Sequence, residues 1–66
     1  MSAAIALKLT EEEIEMLIDA LEADQEGYVE AAKEARGNNS REDVATFAEA
    51  AERIDALMSK LRKLVE

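Results

Sequence analysis

The feature that most constrains this chain is a break of four residues, Gly37-Asn38-Asn39-Ser40, between two long stretches of helical periodicity. Glycine and asparagine are common helix terminators, and serine is a preferred helix N-cap. A linker this short places the flanking helices side by side and antiparallel.

The outer boundaries are equally well marked. Thr10-Glu11-Glu12-Glu13 reads as a capping box, with Leu9 and Ile14 spaced as a hydrophobic staple. Ile14, Leu17, Ile18, Leu21, Tyr28, Ala31, Ala32 and Ala35 then recur at helical spacings, which predicts a first helix over 11–36. Gly37 is expected to end it as a left-handed C′ residue. Ser40 is the expected N-cap of a second helix over 41–65. Its stripe is Val44, Phe47, Ala48, Ala51, Ile54, Met58, Leu61 and Val65, widened by Leu57 and Leu64. Lys60, Arg62 and Lys63 favour its negative C-terminal end. Ahead of both helices, Ile5, Leu7 and Leu9 alternate with smaller or polar residues. That period of two predicts a short extended N-terminal arm over 1–9, able to pair with a symmetry mate. Residues 1–66 thus read as a single all-α domain, an antiparallel helical hairpin with an arm.

Two helices cannot enclose a core. A chain of 66 residues buries only about 60% of its unfolded surface. A core of this size rarely supplies more than about 3–5 kcal/mol. The chain has no Cys and no His, which removes disulfides, thiolate sites and imidazole ligands together. Self-association is the remaining remedy. Apolar residues beyond the two stripes, Met16, Ala20, Ala50, Leu57 and Leu64, need cover on a second side. A dimeric four-helix bundle supplies it. Its expected core is Ile14, Leu17, Ile18, Leu21, Tyr28, Phe47, Ile54, Leu57, Met58, Leu61 and Leu64. Folding back about the turn sets Ala31, Ala32 and Ala35 against Val44, Ala45 and Ala48, and brings Tyr28 near Phe47. Asp24 and Gln25 interrupt the inward stripe, with Gly27 just after them. Arg53 falls opposite Asp24, which predicts a cross-helix ion pair.

Charge narrows the function. Sixteen acidic against eight basic residues leave a net −8, which argues against direct binding of nucleic acid or an anionic membrane. Residues 10–36 carry ten acids and two bases, whereas 40–66 carry six and five. On the first helix Glu12, Glu15, Asp19, Glu22, Glu26 and Glu30 step by three and four into one ridge. The ridge is about 27 Å long at 1.5 Å per residue. Besides solubility, such a ridge suits docking to a basic protein. In its extreme form it imitates a nucleic-acid backbone and inhibits a nucleic-acid-binding protein, and small acidic helical proteins are common among bacteriophage and mobile-element accessory proteins. A straight ridge does not converge oxygens on one metal ion. No motif calls for a cofactor, and a thin hairpin offers no cleft to desolvate a general acid. The expectation is a non-enzymatic, self-associating protein that binds another protein. The alternative is an oligomer that binds a small ligand at subunit junctions near Asp24, Tyr28 and Arg53. No stretch is apolar for the length of a membrane span, and the opening MSAAIALKL lacks a basic start, so the expected location is cytoplasmic.

The helix–short loop–helix plan resembles hairpin dimers of the ROP type, which bind RNA through a basic helix face. That face has no counterpart here, so the resemblance extends to architecture alone. An alternating strand ahead of two helices also resembles ribbon-helix-helix repressors. Their strand carries polar or basic base-reading residues, where this arm offers Ala4, Ala6 and Lys8.

Overall fold

A computed structural model describes residues 3–66 of the chain. Two helices, α1 (Glu11–Gly37) and α2 (Arg41–Leu64), pack against each other as a hairpin, with no strand among the described residues. The helix ends lie within one residue of those expected. No described helix is long and apolar enough to cross a membrane. The principal extents are 43 × 27 × 14 Å, a plate one helix thick.

The capping box at the start of α1 forms as expected. The Glu13 N–H donates to Thr10 Oγ1 at 3.1 Å, and the Thr10 N–H donates to Glu13 Oε1 at 2.8 Å. Two amide donors of the first turn, otherwise unpaired, are satisfied locally. Leu9, the N′ member of the expected staple, packs against the cluster of Ile14, Ile18 and Met58. Residues 3–9 ahead of the cap adopt neither helix nor strand. The first two residues of the predicted arm lie outside the described residues.

The turn is built differently from the expectation. Gly37 is helical, and Asn39 takes the left-handed conformation at φ 58°. Asn39 donates its N–H to Arg36 O at 3.2 Å, and Ser40 donates to Ala35 O at 2.9 Å. These two bonds are the Schellman closure of a helix C-terminus. Asparagine fills the left-handed site because its short amide tolerates positive φ better than most side chains. Ser40 has its N–H tied to α1 while its carbonyl accepts the Val44 N–H of α2 at 3.0 Å. Its hydroxyl makes no capping bond, contrary to expectation. The reversal thus runs through backbone bonds, and one residue both closes α1 and opens α2.

The core lies at the open end of the hairpin. Met58 is 1% exposed and is surrounded by Ile14 and Ile18, with Leu9, Leu21, Ile54, Leu61 and Val65 packed around them. At the loop end Ala32 and Ala35 are buried. They face the inward row Val44, Phe47 and Ala51 of α2, whereas Ala45 and Ala48 are exposed. Of the expected Val44, Ala45 and Ala48, only Val44 stays half-buried, together with Phe47 and Ala51 of the expected stripe. Tyr28 and Phe47 do meet, with ring centroids 6.3 Å apart and planes tilted by 36°. That spacing is within the range of favourable aromatic pairs.

The expected Asp24–Arg53 pair does not form. Both side chains are exposed. The polar layer is instead made by Gln25, whose Nε2 donates to the Ala51 carbonyl at 3.3 Å. A neutral amide can be half-buried at the seam with one bond, where a carboxylate would need far more compensation.

Two predictions test this packing. Met58→Ala removes about 2–5 kcal/mol, which consumes what a core this small supplies. Circular dichroism should show loss of the cooperative melt, and a melt retained within a few degrees would contradict a core centred on Met58. At the turn, Gly37→Ala should stabilise by about 0.5–1 kcal/mol, because Gly37 has negative φ and open space at its Cβ position. Asn39→Val should destabilise by about 1–2 kcal/mol at the left-handed position. Urea denaturation reads both, and the opposite order would refute the turn assignment.

Candidate functional site

The seam between the helices consumes only part of each helix surface. Taking about 100° per residue, α1 divides into three faces roughly 120° apart. Ile14, Ile18, Leu21, Gln25, Ala32 and Ala35 face α2. The acidic ridge lies on the second face, and Met16, Leu17, Ala20, Ala23, Gly27 and Ala31 on the third.

The third face of α1 joins α2 to form one broad apolar surface. Leu7, Leu9, Leu17, Ala20, Leu21, Asp24, Leu57 and Leu61 line an open groove of about 550 Å³. A second groove shares Leu9, Leu17 and Ala20 and adds Glu13 and Met16. Towards the loop, a shallower one is lined by Asp24, Gly27, Tyr28, Ala31 and Phe47. The three are continuous through shared residues. Leu64 lies on the same row as Leu57 and Leu61 by its spacing of three and seven. Met16 and Leu64 are 70% and 69% exposed. Of the eleven residues expected in an oligomer core, Leu17, Leu57 and Leu64 are exposed in the single chain. Ile14, Ile18 and Met58 are buried within the hairpin, and Leu21, Tyr28, Phe47, Ile54 and Leu61 are half-buried. The structure thus splits that set into an inner seam and an outer leucine face.

The opposite broad face is acidic. All six ridge residues, Glu12, Glu15, Asp19, Glu22, Glu26 and Glu30, are exposed. Glu52 and Asp55 of α2 border the same side next to Gln25. The ridge is partly neutralised. Arg62 Nη2 donates to Glu22 Oε1 at 2.8 Å, and Lys33 Nζ lies 3.9 Å from Glu30 Oε1. Arg62 sits about two turns beyond the position directly opposite Glu22. Side chains lean towards the N-terminus of their own helix, so in an antiparallel pair these two lean towards each other. Spacing along one helix could not have revealed this pair. Among the described residues, Glu12, Glu15, Asp19 and Glu26 take part in no ion pair. No group of three or more acidic residues among those described is placed to hold a metal ion.

The residues named for a small-ligand site are only partly assembled. Asp24 and Tyr28 border the shallow groove of about 180 Å³, and Arg53 does not line it. Ligand pockets usually span about 300–1,000 Å³.

Compared with protein-family models, curated proteins and solved structures, the chain matches none.

The Glu22–Arg62 pair is about half exposed on both sides, so its contribution to stability is at most about 1 kcal/mol. Arg62→Ala should lower urea stability by no more than that at low salt, and the difference should fade at high salt. A larger, salt-independent loss would mean that the Arg62 stem, rather than its charge, supports the seam.

Proposed function

We propose that this protein is a non-enzymatic interaction module. It self-associates through the leucine face as a dimeric four-helix bundle, and it binds a basic protein through the acidic ridge. The observation that carries the reading is the opposition of the two faces, leucine-rich on one side of the plate and carboxylate-rich on the other. Docking leucine face on leucine face buries the apolar side and leaves a ridge outward on each side of the bundle.

Surface area supports the self-association. A compact monomer of 7.3 kDa exposes about 4,200 Å². This chain exposes 5673 Å², roughly 1,500 Å² in excess. Part of the excess is the arm, where Ile5 and Leu7 are 86% and 74% exposed. Obligate homodimers bury about 2,000–5,000 Å² in total, so the excess on each chain is of the size such an interface removes.

Binding rather than catalysis fits the carboxylates. All 16 acidic side chains are exposed, whereas a general acid needs a desolvated, raised-pKa setting. The ridge also suits a basic protein surface better than close imitation of nucleic acid. Its six charges over about 27 Å lie roughly 5 Å apart, against about 3.4 Å along one DNA strand. A small-ligand oligomer is the second reading, and the shallow groove beside Asp24 gives it less support.

Light scattering at micromolar concentration should give twice the 7.3 kDa chain mass. A partner captured from the native host should be lost with rising salt, and lost with the combined Glu15→Lys, Asp19→Lys and Glu26→Lys reversal. Dimerisation should survive that reversal. A folded monomer would sink the self-association, and binding that survives the reversal would sink the ridge.

A further inference from the structure

At its mid-level the leucine face carries a pair of opposite charges that the hairpin itself leaves unmatched, with Glu13 further along at the open end. Asp24 borders both the leucine groove and the shallower groove beside Tyr28, so it stands within the apolar surface rather than at its edge. Arg53 lies four residues before Leu57 and therefore on the same row of α2. Both are exposed, and neither takes part in an ion pair among the described residues. Each sits at the middle of its helix, with α1 running Glu11–Gly37 and α2 running Arg41–Leu64. The Gln25–Ala51 hydrogen bond holds this level of the two helices together.

Resting on the self-association proposed above, we infer that the second copy docks with both loops at the same end, and that Asp24 of each protomer pairs with Arg53 of the other. Two symmetric ways exist to lay one leucine face on another. With the two-fold axis across the helices, the loops lie at opposite ends and each α1 covers the other α1. Asp24 then meets the partner's Asp24 and Arg53 meets the partner's Arg53, two like-charge contacts inside an apolar interface. With the axis along the helices, α1 covers the partner's α2. Asp24 then meets the partner's Arg53, and the contact occurs twice.

The distribution of bulk points the same way. The leucines of this face, Leu17, Leu57, Leu61 and Leu64, gather at the open end, while the half-buried Tyr28 and Phe47 border the shallower groove towards the loop. Loops together, they bury one another. Loops apart, they meet the loop half of the partner, where exposed Asp43, fourteen residues before Leu57, lies on the Leu57 row. A carboxylate facing leucines without a partner is disfavoured. Charge complementarity at an interface chiefly sets register and orientation, and that is the role assigned to this pair.

Charge reversal with complementation tests it. Asp24→Arg and Arg53→Asp are made separately, and light scattering and circular dichroism are measured on each and on their equimolar mixture. Each variant alone places two like-charge contacts in its own dimer, so its dissociation constant should rise at least about tenfold. Mixed, one chain carries two arginines and the other two aspartates at these positions. Both contacts are then opposite in sign, and a heterodimer should form, identified by its mass in native mass spectrometry. If a lone variant unfolds, failure to recover helicity on mixing overturns the pair, whereas recovery is expected with the loops at either end and the orientation is then decided by spin labels. Variants that dimerise alone as tightly as the parent also overturn it while leaving the self-association standing. A monomeric parent chain overturns both. Spin labels at Asn38→Cys supply an independent reading. They should report loops separated by about one interhelical spacing of roughly 10 Å, and a separation near the 43 Å length of the plate would reverse the orientation.

Discussion

The hairpin closes on Met58. With 1% of its surface exposed, it is the one large side chain fully enclosed among the described residues, and Ile14 and Ile18 of α1 reach it from across the seam. A flexible thioether side chain suits this place, because it fills an irregular gap between two helices that touch along a single line. Everything around the contact is only half-buried. A two-helix seam offers no second layer to close over its flanks, so the fold meets its own limit a few ångströms from its centre. The two broad faces of the plate follow from that limit.

The faces differ because α1 divides its circumference into three. One third enters the seam, one third carries carboxylates, and one third carries leucine, methionine and small residues. Like charges along the ridge oppose helix formation mildly, while the capping box and the acidic first turn favour it. Apolar and acidic faces on opposite sides of a thin plate let one be covered without burying the other. A face of mixed character could not separate the two roles.

The polar layer shows where sequence reasoning stops. Asp24 and Gln25 are neighbours, about 100° apart on the helix, and both interrupt an apolar stripe. Pattern alone ranks the charged residue as the meaningful one and pairs it with Arg53. The structure turns Gln25 inward and leaves Asp24 on the leucine face. The choice follows from desolvation: an amide with one hydrogen bond is cheaper to half-bury than a carboxylate facing a single cation. The Schellman turn is similar. Three candidate residues stood at the loop, and closure selected Asn39 over Gly37 because the bonds to Ala35 and Arg36 require the left-handed residue two positions later.

The two helices, their ends to within one residue, the presence of a short connection and the membership of the acidic ridge were legible in the sequence alone. Each of these rests on interactions within about four residues along the chain, or on a periodicity that any helix must express. The tertiary structure decided how far each helix is rotated about its own axis. That rotation sorted the apolar residues into a seam around Met58 and an outer leucine face, left Ala48 exposed while keeping Phe47 and Ala51 half-buried, and joined Arg62 to Glu22. It is a compromise among many side chains on two helices at once. A shift of a few tens of degrees changes which residues are buried without altering either helix, so the spacing along one chain does not contain the answer.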